Sequence, residues 1–314
     1  MTKLEMNKAE LTRGKKRLVT GDKGFVGALC LREWPDAVGL SELAGSDVDV
    51  RDRDALVRAL SGTTFDEVVH LAGISFVPES VADPLGTYGV NFLGTLSLLE
   101  SLREVGFKGR FLFVSSGDAY GLVDEASLPV TESTPLAPRN PYAVSKAAAE
   151  ALCYQWSQTG GFEVLVARPF NHIGPGQSER FALSDFARQI VLLVRGGAPR
   201  VLLVGNIGVT RDFLDARDVV RAYDMLLEGG VNANVYNICS SREYSLSDLV
   251  SRLIEISGQE IAVETDAARW RLAEQRRMLG SNAKLVAATG WAPAFDLDET
   301  LIQIYRHWEQ QVDA

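Results

Sequence analysis

A glycine-rich turn directly after the first apolar run most constrains the fold of this chain. The run reads Arg-Leu-Val-Thr-Gly at 17–21, and glycines at 21, 24 and 27 complete the spacing G-x-x-G-x-x-G. Such a spacing lets the backbone turn sharply out of a strand and pack a helix closely against it. Chance would give only about 0.2 such triplets. The turn therefore predicts a strand–turn–helix unit whose helix N-terminus offers backbone N–H groups to an anion such as a pyrophosphate.

Six short aliphatic runs predict strands. They are continuous rather than alternating, which indicates strands covered on both faces, as in a parallel sheet between helices. The runs lie at 17–21, 67–73, 110–116, 163–170, 200–206 and 234–240. Segments with helical periodicity separate the first four. This alternation predicts an α/β fold, a doubly wound parallel (Rossmann) sheet with a smaller C-terminal α/β substrate domain.

The expected domain organisation has three parts. Residues 1–16 form a flexible tail, 17–170 form the dinucleotide-binding half, and 171–314 form the substrate domain. Part of 211–240 could return to the first half.

Composition excludes several classes of function. The chain carries 32 Lys and Arg against 41 Asp and Glu, a net charge of -9, which disfavours a nucleic-acid partner. A phosphorylated ligand must then be held by a few well-placed cations. Cys30, Cys153 and Cys239 are widely spaced, which favours free thiols in a reducing cytoplasm and predicts no metal site. No apolar stretch approaches the roughly 20 residues that span a bilayer, and no signal peptide is recognisable at the start, so no membrane partner is expected.

A tyrosine and a lysine share one helix face. Asn140 and Pro141 suit the N-cap and first position of a helix, and Tyr142 and Lys146 follow four residues apart. A phenol has a pKa of about 10, and a neighbouring ammonium group favours its ionised form, which makes acid–base chemistry possible. An exposed pair without function is the alternative that this spacing leaves open.

Hydroxyl side chains follow the third of these strands. Ser115, Ser116 and Asp118 stand where the strand ends. Ligands of open α/β sheets bind beyond the carboxyl ends of the strands, so these groups should face the same crevice as the glycine turn. Asp49-Val50 and 71–73 are also predicted at strand ends, where an adenine and its ribose would lie; plain turn residues explain them equally well.

Several motifs in order resemble the extended short-chain dehydrogenase/reductase family of nucleotide-sugar enzymes. They are T-G-x-x-G-F-V-G (20–27), H-L-A-G (70–73), N-x-x-G-T (91–95), V-S-S (114–116) and Y-x-x-x-K (142–146). The likeness runs from about 17 to 308. The segments 75–80, 168–177, 211–213 and 273–277, with Ser-Ser-Gly-Asp, look like the reductases of this family that act on a GDP-linked 4-keto sugar. The resemblance implies NADPH- or NADH-dependent reduction of GDP-4-keto-6-deoxy-mannose at C4, giving GDP-D-rhamnose.

The resemblance also implies roles for individual residues. Tyr142 would protonate the new hydroxyl oxygen, Lys146 would hold the nicotinamide ribose and lower the tyrosine pKa, and Ser116 would polarise the keto group. Asp118 is a further catalytic candidate, since it stands where the related dehydratases carry a glutamate base. The expected cofactor-binding residues are Gly21, Gly24, Phe25, Val26, Gly27, Asp49, Val50, Leu71, Ala72, Gly73, Tyr142, Lys146, Pro169 and His172. The expected substrate-binding residues are Ser115, Ser116, Asn171, Arg188, Arg211, Arg271 and Glu274.

The sequence is compatible with several alternatives. Arg211 could form a structural ion pair with Asp212 or Asp215, and Arg271 could lie on a solvated helix face. Asp118 leaves a GDP-mannose 4,6-dehydratase possible, although its side chain is one methylene shorter than glutamate. Reduction from the other face of the keto group would give GDP-6-deoxy-D-talose. If the protein is not an enzyme, it would be a dinucleotide-sensing scaffold.

Two further features are expected around this site. A strand at 37–40 is followed by Ser41 and Glu42 without an arginine, so the choice between NADH and NADPH stays open. The resemblance implies a homodimer through the helix that begins near Tyr142, whose residues Ala143, Ala147, Ala151, Leu152 and Trp156 are compatible with it.

Overall fold

The computed structural model describes residues 15–196, 200–266, 268 and 275–312. The strands are β1 (Arg17–Thr20), β2 (Ala37–Gly39), β3 (Glu67–His70), β4 (Arg110–Val114), β5 (Glu163–Pro169), β6 (Asn171–Ile173), β7 (Val201–Val204), β8 (Thr210–Arg211), β9 (Phe213–Asp215), β10 (Val235–Ile238), β11 (Tyr244–Ser245) and β12 (Ala262–Thr265). The α-helices are α1 (Phe25–Glu33), α2 (Leu40–Ala44), α3 (Arg53–Leu60), α4 (Val77–Ala82), α5 (Pro84–Tyr88), α6 (Gly94–Glu104), α7 (Pro141–Thr159), α8 (Ala182–Gly196), α9 (Ala216–Gly229), α10 (Leu246–Ser257), α11 (Ala283–Thr289) and α12 (Leu297–Val312).

The central sheet has six parallel strands in the order β10-β5-β4-β3-β1-β2. β3 is buried along its whole length, which explains why its sequence is a continuous run rather than an alternating one. Helices cover both faces. The predicted doubly wound α/β fold is confirmed.

Each face of the sheet has its own apolar core. On one face α1, α9 and α11 contribute residues such as Cys30, Tyr223 and Leu285. On the other face α3, α6 and α7 contribute residues such as Leu56 and Leu98. All three cysteines are buried free thiols.

The direction of winding changes at β1. The chain passes from β1 outward to β2 and then returns to place β3 on the other side of β1. Ligands of such sheets bind in the crevice that opens at this reversal, beyond the carboxyl ends of the strands. The glycine turn that follows β1 lies at this crevice.

The second half of the chain builds a third apolar core from α8, α10 and α12, with residues such as Ile190, Leu253 and Leu301. Short two-stranded sheets accompany it, including β12 beside β7 and β6 beside β9. From this half α9 and β10 reach back to the central sheet. The domain boundary near residue 170 stays a prediction.

The strand end expected at Asp49-Val50 is wrong. These residues lie in an irregular segment between α2 and α3. The Asp49 carboxylate accepts hydrogen bonds from the backbone and guanidinium of Arg51, and this local turn replaces strand pairing. Val50 is buried against Gly94, where a side chain would clash.

No helix among residues 15–196, 200–266 and 275–312 is long and apolar enough to cross a membrane.

Candidate active site

The glycine turn forms a tight cradle at the end of β1. Gly21 has a φ of +69°, and a side chain on it would lie 2.7 Å from the backbone nitrogen of Ala72. Gly27 packs directly on the carbonyl oxygen of Gly21, and the N–H of Gly24 donates to the same oxygen at 2.9 Å. Gly24 stands at the N-cap of α1 and has no side chain to cap the helix. Its first N–H groups can therefore receive a diphosphate, so this part of the site fits the expected dinucleotide.

A buried histidine fixes the neighbouring strand end. The two ring nitrogens of His70 bond to the hydroxyls of Thr20 (2.7 Å) and Thr95 (3.0 Å). Burial, and secondarily the charge of Lys146, lowers the pKa of His70 to about 3, so the ring is neutral. Thr20 also accepts the N–H of Ala72. His70 thus joins β1 to β3 as a structural group.

Asn91 is a site residue that the sequence analysis did not assign. It lies in a π-helical turn (Gly89–Leu93) just before α6. Its amide donates to the carbonyl of Ile74 and to the hydroxyl of Ser145, both at 2.9 Å, and its Oδ1 accepts the N–H of Ile74. A side chain on Gly73 would lie 2.9 Å from this Oδ1 and 3.6 Å from Lys146 Nζ. The quoted N-x-x-G-T motif carried this signal, but only the fold shows that Asn91 joins the loop after β3 to α7.

Tyr142 lies at the first turn of α7. The Asn140 side chain caps this helix by accepting the N–H of Ala143 at 2.8 Å, as its sequence predicts. The phenol is hydrogen-bonded to the Ser116 hydroxyl. Burial raises the pKa of Tyr142, the negative charge of Asp118 raises it further, and the Ser116 bond opposes both. Tyr142 and Ser116 thus meet from separate elements, as the common crevice predicted.

Lys146 is buried one turn further along the same helix. Its Nζ donates a 2.7 Å hydrogen bond to the carbonyl of Val114 and lies 5.0 Å from the ring centre of Phe113. Burial lowers its pKa to about 8, while the charge of Glu150 acts in the opposite direction. The ammonium group is therefore held at the carboxyl end of β4, mostly charged at neutral pH.

Glu150 and Arg168 form a buried ion pair that was not predicted from the sequence. Arg168 binds both carboxylate oxygens of Glu150, at 2.8 and 2.5 Å. Ser115, only 2% exposed, donates to the same carboxylate at 2.5 Å. Arg168 also donates to the Tyr120 hydroxyl at 2.9 Å. The Ser115 hydroxyl is thus engaged in a buried network, while Ser116 contacts Tyr142.

The second half of the chain contributes an aromatic contact. His172 stacks on Phe25 at the start of α1, with ring centres 6.3 Å apart and planes 6° from parallel. Its Nδ1 is bonded to the carbonyl of Phe170 at 2.9 Å, and burial lowers its pKa. His172 therefore links the glycine turn to the segment after Pro169, and the adjacent Asn171 is exposed.

Arg211 is the last residue of β8, in the second half of the chain. Its Nη1 donates to the carbonyls of Thr210 (2.8 Å) and Arg276 (3.3 Å). The Asp212 carboxylate bonds instead to Ser240 and Ser241, and that of Asp215 is bound to Arg217 and Thr300. Arg276 and Arg277 lie beside Arg211, and both are paired with carboxylates: Arg277 makes a two-point ion pair with Glu243, and Glu125 lies 3.4 Å from Arg276 and 3.7 Å from Arg277.

The other expected substrate-binding residues of the second half are Arg188, Arg271 and Glu274. The Arg188 guanidinium lies 6.0 Å from the ring centre of Trp308 on α12. Arg271 and Glu274 lie outside the described residues. Within the described part of the chain, no group of three or more His, Cys, Asp or Glu side chains could hold a metal ion.

Comparisons with known proteins agree with this geometry. Residues 37–304 match the GDP-mannose 4,6 dehydratase family. A GDP-6-deoxy-D-mannose reductase from Pseudomonas aeruginosa is 50% identical over 247 residues, which are 79% of this chain and 81% of that protein. A GDP-mannose 4,6-dehydratase from Sordaria araneosa is 32% identical over 274 residues, 81% of this chain and 50% of that protein.

A solved structure extends the likeness to three dimensions. The structure of RMD from Pseudomonas aeruginosa complexed with NADPH has a TM-score of 0.88 and 44% identity, covering 94% of this chain and 99% of that one. The family resemblance inferred from the motifs is confirmed. The chain belongs to the GDP-mannose 4,6-dehydratase family of extended short-chain dehydrogenases/reductases.

Proposed function

We propose that this chain reduces the C4 keto group of GDP-4-keto-6-deoxy-mannose with NADH or NADPH, giving GDP-D-rhamnose. The observation that carries the proposal is the contact between Ser116 and Tyr142, with Lys146 one turn further along α7. The 50% identity to a reductase supports reduction more strongly than the 32% identity to a dehydratase supports elimination.

The cofactor is held by the first half of the chain. The N–H groups at the start of α1 and the cradle of Gly21 and Gly27 would hold its diphosphate. Lys146 would bind the nicotinamide ribose. When bound, the reduced nicotinamide supplies the hydride that C4 receives.

Tyr142 supplies the proton. Reduction of a ketone leaves negative charge on its oxygen, and an acid must protonate that oxygen. Since burial and Asp118 raise the pKa of Tyr142, the phenol is protonated at neutral pH and ready to donate. The Ser116 hydroxyl, bonded to Tyr142, is placed to donate to the same oxygen and polarise it.

Lys146 lies one turn after Tyr142 on α7, and its bond to Val114 fixes its position. The resemblance implies that Lys146 lowers the pKa of Tyr142, but burial and the charge of Asp118 raise that pKa instead. On a chain of net charge -9, Arg211 would be the residue of this region that binds the GDP diphosphate, since the neighbouring Arg276 and Arg277 are paired with Glu125 and Glu243.

Elimination is less well supported by the site. A dehydratase needs a base that reaches the carbon next to the keto group. Asp118 is exposed and one methylene shorter than glutamate, and Gly117 beside it packs against the ring of Phe170.

Product analysis tests the proposal. The protein is incubated with GDP-4-keto-6-deoxy-mannose and either reduced cofactor, and the product is identified by NMR. We expect one cofactor oxidised per GDP-D-rhamnose formed. Formation of the 4-keto sugar from GDP-mannose without net cofactor consumption would instead establish a dehydratase, and GDP-6-deoxy-D-talose would show attack on the other face.

A pair of tyrosine variants tests the assigned acid. Tyr142→Phe should lower kcat by about 10²- to 10⁴-fold while cofactor affinity is kept. Tyr154→Phe is the matched control, because Tyr154 lies on the same helix and is 61% exposed. Unchanged activity in Tyr142→Phe would remove Tyr142 from the mechanism.

We also propose that two copies pair through α7 and its neighbours. Ala143 and Trp156, expected on this outer face, are instead buried within the protomer. The exposed apolar side chains there are Val81, Leu85, Leu93, Val144 and Tyr154. A patch of this kind favours burial against a second copy.

The oligomeric state decides this second proposal. Light scattering during gel filtration should give a dimer for the wild type and a monomer for Leu85→Asp/Tyr154→Asp. Val231→Asp removes an equally exposed apolar side chain elsewhere and should stay dimeric. A monomeric wild type would overturn the dimer. The cytoplasmic location expected from the sequence stays a prediction.

A further inference from the structure

The first variable residue of the glycine turn reaches the end of a neighbouring strand. The Asp22 carboxylate accepts hydrogen bonds from both the hydroxyl and the backbone N–H of Ser41, the latter at 3.4 Å. Ser41 lies two residues after β2 ends at Gly39. A side chain on Gly39 would overlap this carboxylate, with its Cβ 2.7 Å from that of Asp22. Gly39 and Ser41 thus hold Asp22 in a half-buried position.

In a dinucleotide-binding sheet, the residues at this position determine the choice between NAD and NADP. The end of the second strand is where a carboxylate binds the adenosine ribose hydroxyls of NAD, or where an arginine accepts the 2′-phosphate of NADP. In this chain β2 itself supplies neither, which is why the sequence left the choice open. The fold brings the missing carboxylate to that place from the glycine turn.

The charges nearby do not favour a phosphate. Lys23, the next residue, is paired with Asp47 at 2.5 Å, and Arg51 forms a two-point pair with Asp49. Glu42 adds a further exposed negative charge next to Ser41. A 2′-phosphate would therefore face the Asp22 carboxylate while the cations of the adjoining segments are already paired.

We infer that Asp22 is the residue through which this protein selects NADH over NADPH, by accepting hydrogen bonds from the adenosine ribose hydroxyls and repelling a 2′-phosphate. The inference rests on the dinucleotide-binding part of the proposed function. The family depends on NAD(P)H, and the inference states which of the two cofactors this chain prefers. It concerns no residue that contacts the sugar-nucleotide substrate.

Binding measurements without sugar nucleotide test the inference apart from the reaction. Titration of the protein with NADH and with NADPH, followed by nicotinamide fluorescence, gives a dissociation constant for each. We expect NADH to bind at least about tenfold more tightly, the scale of one like-charge contact near a protein surface. Asp22→Asn keeps an oxygen for Ser41 but removes the charge, and should narrow the ratio of the two constants by about tenfold. Wild type that binds NADPH as tightly as NADH, or a ratio unchanged in Asp22→Asn, would overturn the inference.

Three further variants separate the role of Asp22 from that of its neighbours. Lys23→Met should leave the ratio within about twofold; a selective loss of NADPH affinity would assign the 2′-group to Lys23 and overturn the role of Asp22. Asp54→Asn removes one exposed charge from α3 and should behave as wild type. Ser41→Ala should narrow the ratio of the two dissociation constants as Asp22→Asn does. Circular dichroism reports whether Asp22→Asn folds, and Ser41→Ala provides the test if it does not. If neither cofactor binds, the proposed function fails as well; if both bind but no reduction occurs, only the proposed function fails.

Discussion

The Nζ of Lys146 lies 2.7 Å from the carbonyl oxygen of Val114, the last residue of β4. This bond fixes the ammonium group of α7 to the strand whose next residues include Ser116. The bond ties this strand end to the helix and helps to keep Tyr142, Ser116 and Lys146 in their relative positions.

The pH dependence of activity should report Lys146. Burial lowers its pKa to about 8, so the charged form persists below pH 8 and is lost as the pH rises through that value. We expect kcat/KM for the reduced cofactor, which reports the free enzyme, to fall above about pH 8. In Lys146→Arg the fall should move to higher pH, because arginine does not lose its proton in this range. The same descending limb in both proteins would show that another group is titrating.

Removal of the Ser116 hydroxyl should impair the chemical step. Ser116→Ala loses the bond to Tyr142 and the donor to the keto oxygen, so kcat should fall about 10²- to 10³-fold while cofactor binding is retained. Steady-state kinetics and fluorescence titration measure the two effects. Ser127→Ala, at an exposed position, is the control. A change confined to KM would contradict the assignment.

Breaking the buried Glu150–Arg168 pair should destabilise the fold. Glu150→Gln leaves the guanidinium of Arg168 buried without its full countercharge, and the free energy of unfolding should fall by about 3 kcal/mol. Glu163→Gln, which removes an exposed partner of Arg110, should cost less than about 1 kcal/mol. Urea denaturation of both variants measures the difference; equal losses would show that burial of the pair is unimportant.

Acidification should destabilise the protein through His70. Its folded pKa is about 3 against an ordinary 6.5, so below pH 6.5 the unfolded chain binds a proton that the folded chain does not. Stability is therefore lost as the pH falls through 6.5, by about 2 kcal/mol between pH 6.5 and 5. Denaturation at several pH values should show this slope in wild type and a shallower one in His70→Gln. An unchanged slope in the variant would mean that other groups dominate.

Much of the fold could be predicted from local patterns. Continuous apolar runs predicted β1, β3, β4, β5 and β10 of the central sheet, and Asn140 with Pro141 predicted the start of α7. The run at 200–206 also forms a strand, β7, but it lies outside the central sheet. The strand end at Asp49-Val50 was predicted wrongly, since a turn made by side-chain hydrogen bonds to Arg51 resembles a strand end in sequence.

The site was predictable only in part. Tyr142 and Lys146 lie four residues apart on one helix, so their spacing already placed them together. Glu150 gave no comparable signal, and the motifs that contain Asn91 and Arg168 did not show what these side chains contact, because each contact depends on how separate elements pack.

The sequence by itself determined the order of strands and helices, the glycine turn and the tyrosine–lysine pair, because these depend on residues close together in the chain. Only the tertiary structure decided that Asp22 reaches Ser41 at the end of β2, that Ser115 bonds to a buried ion pair while Ser116 reaches Tyr142, and that burial raises the pKa of Tyr142 but lowers that of Lys146. Such features follow from which surfaces are brought together and closed to water, and no local pattern encodes them.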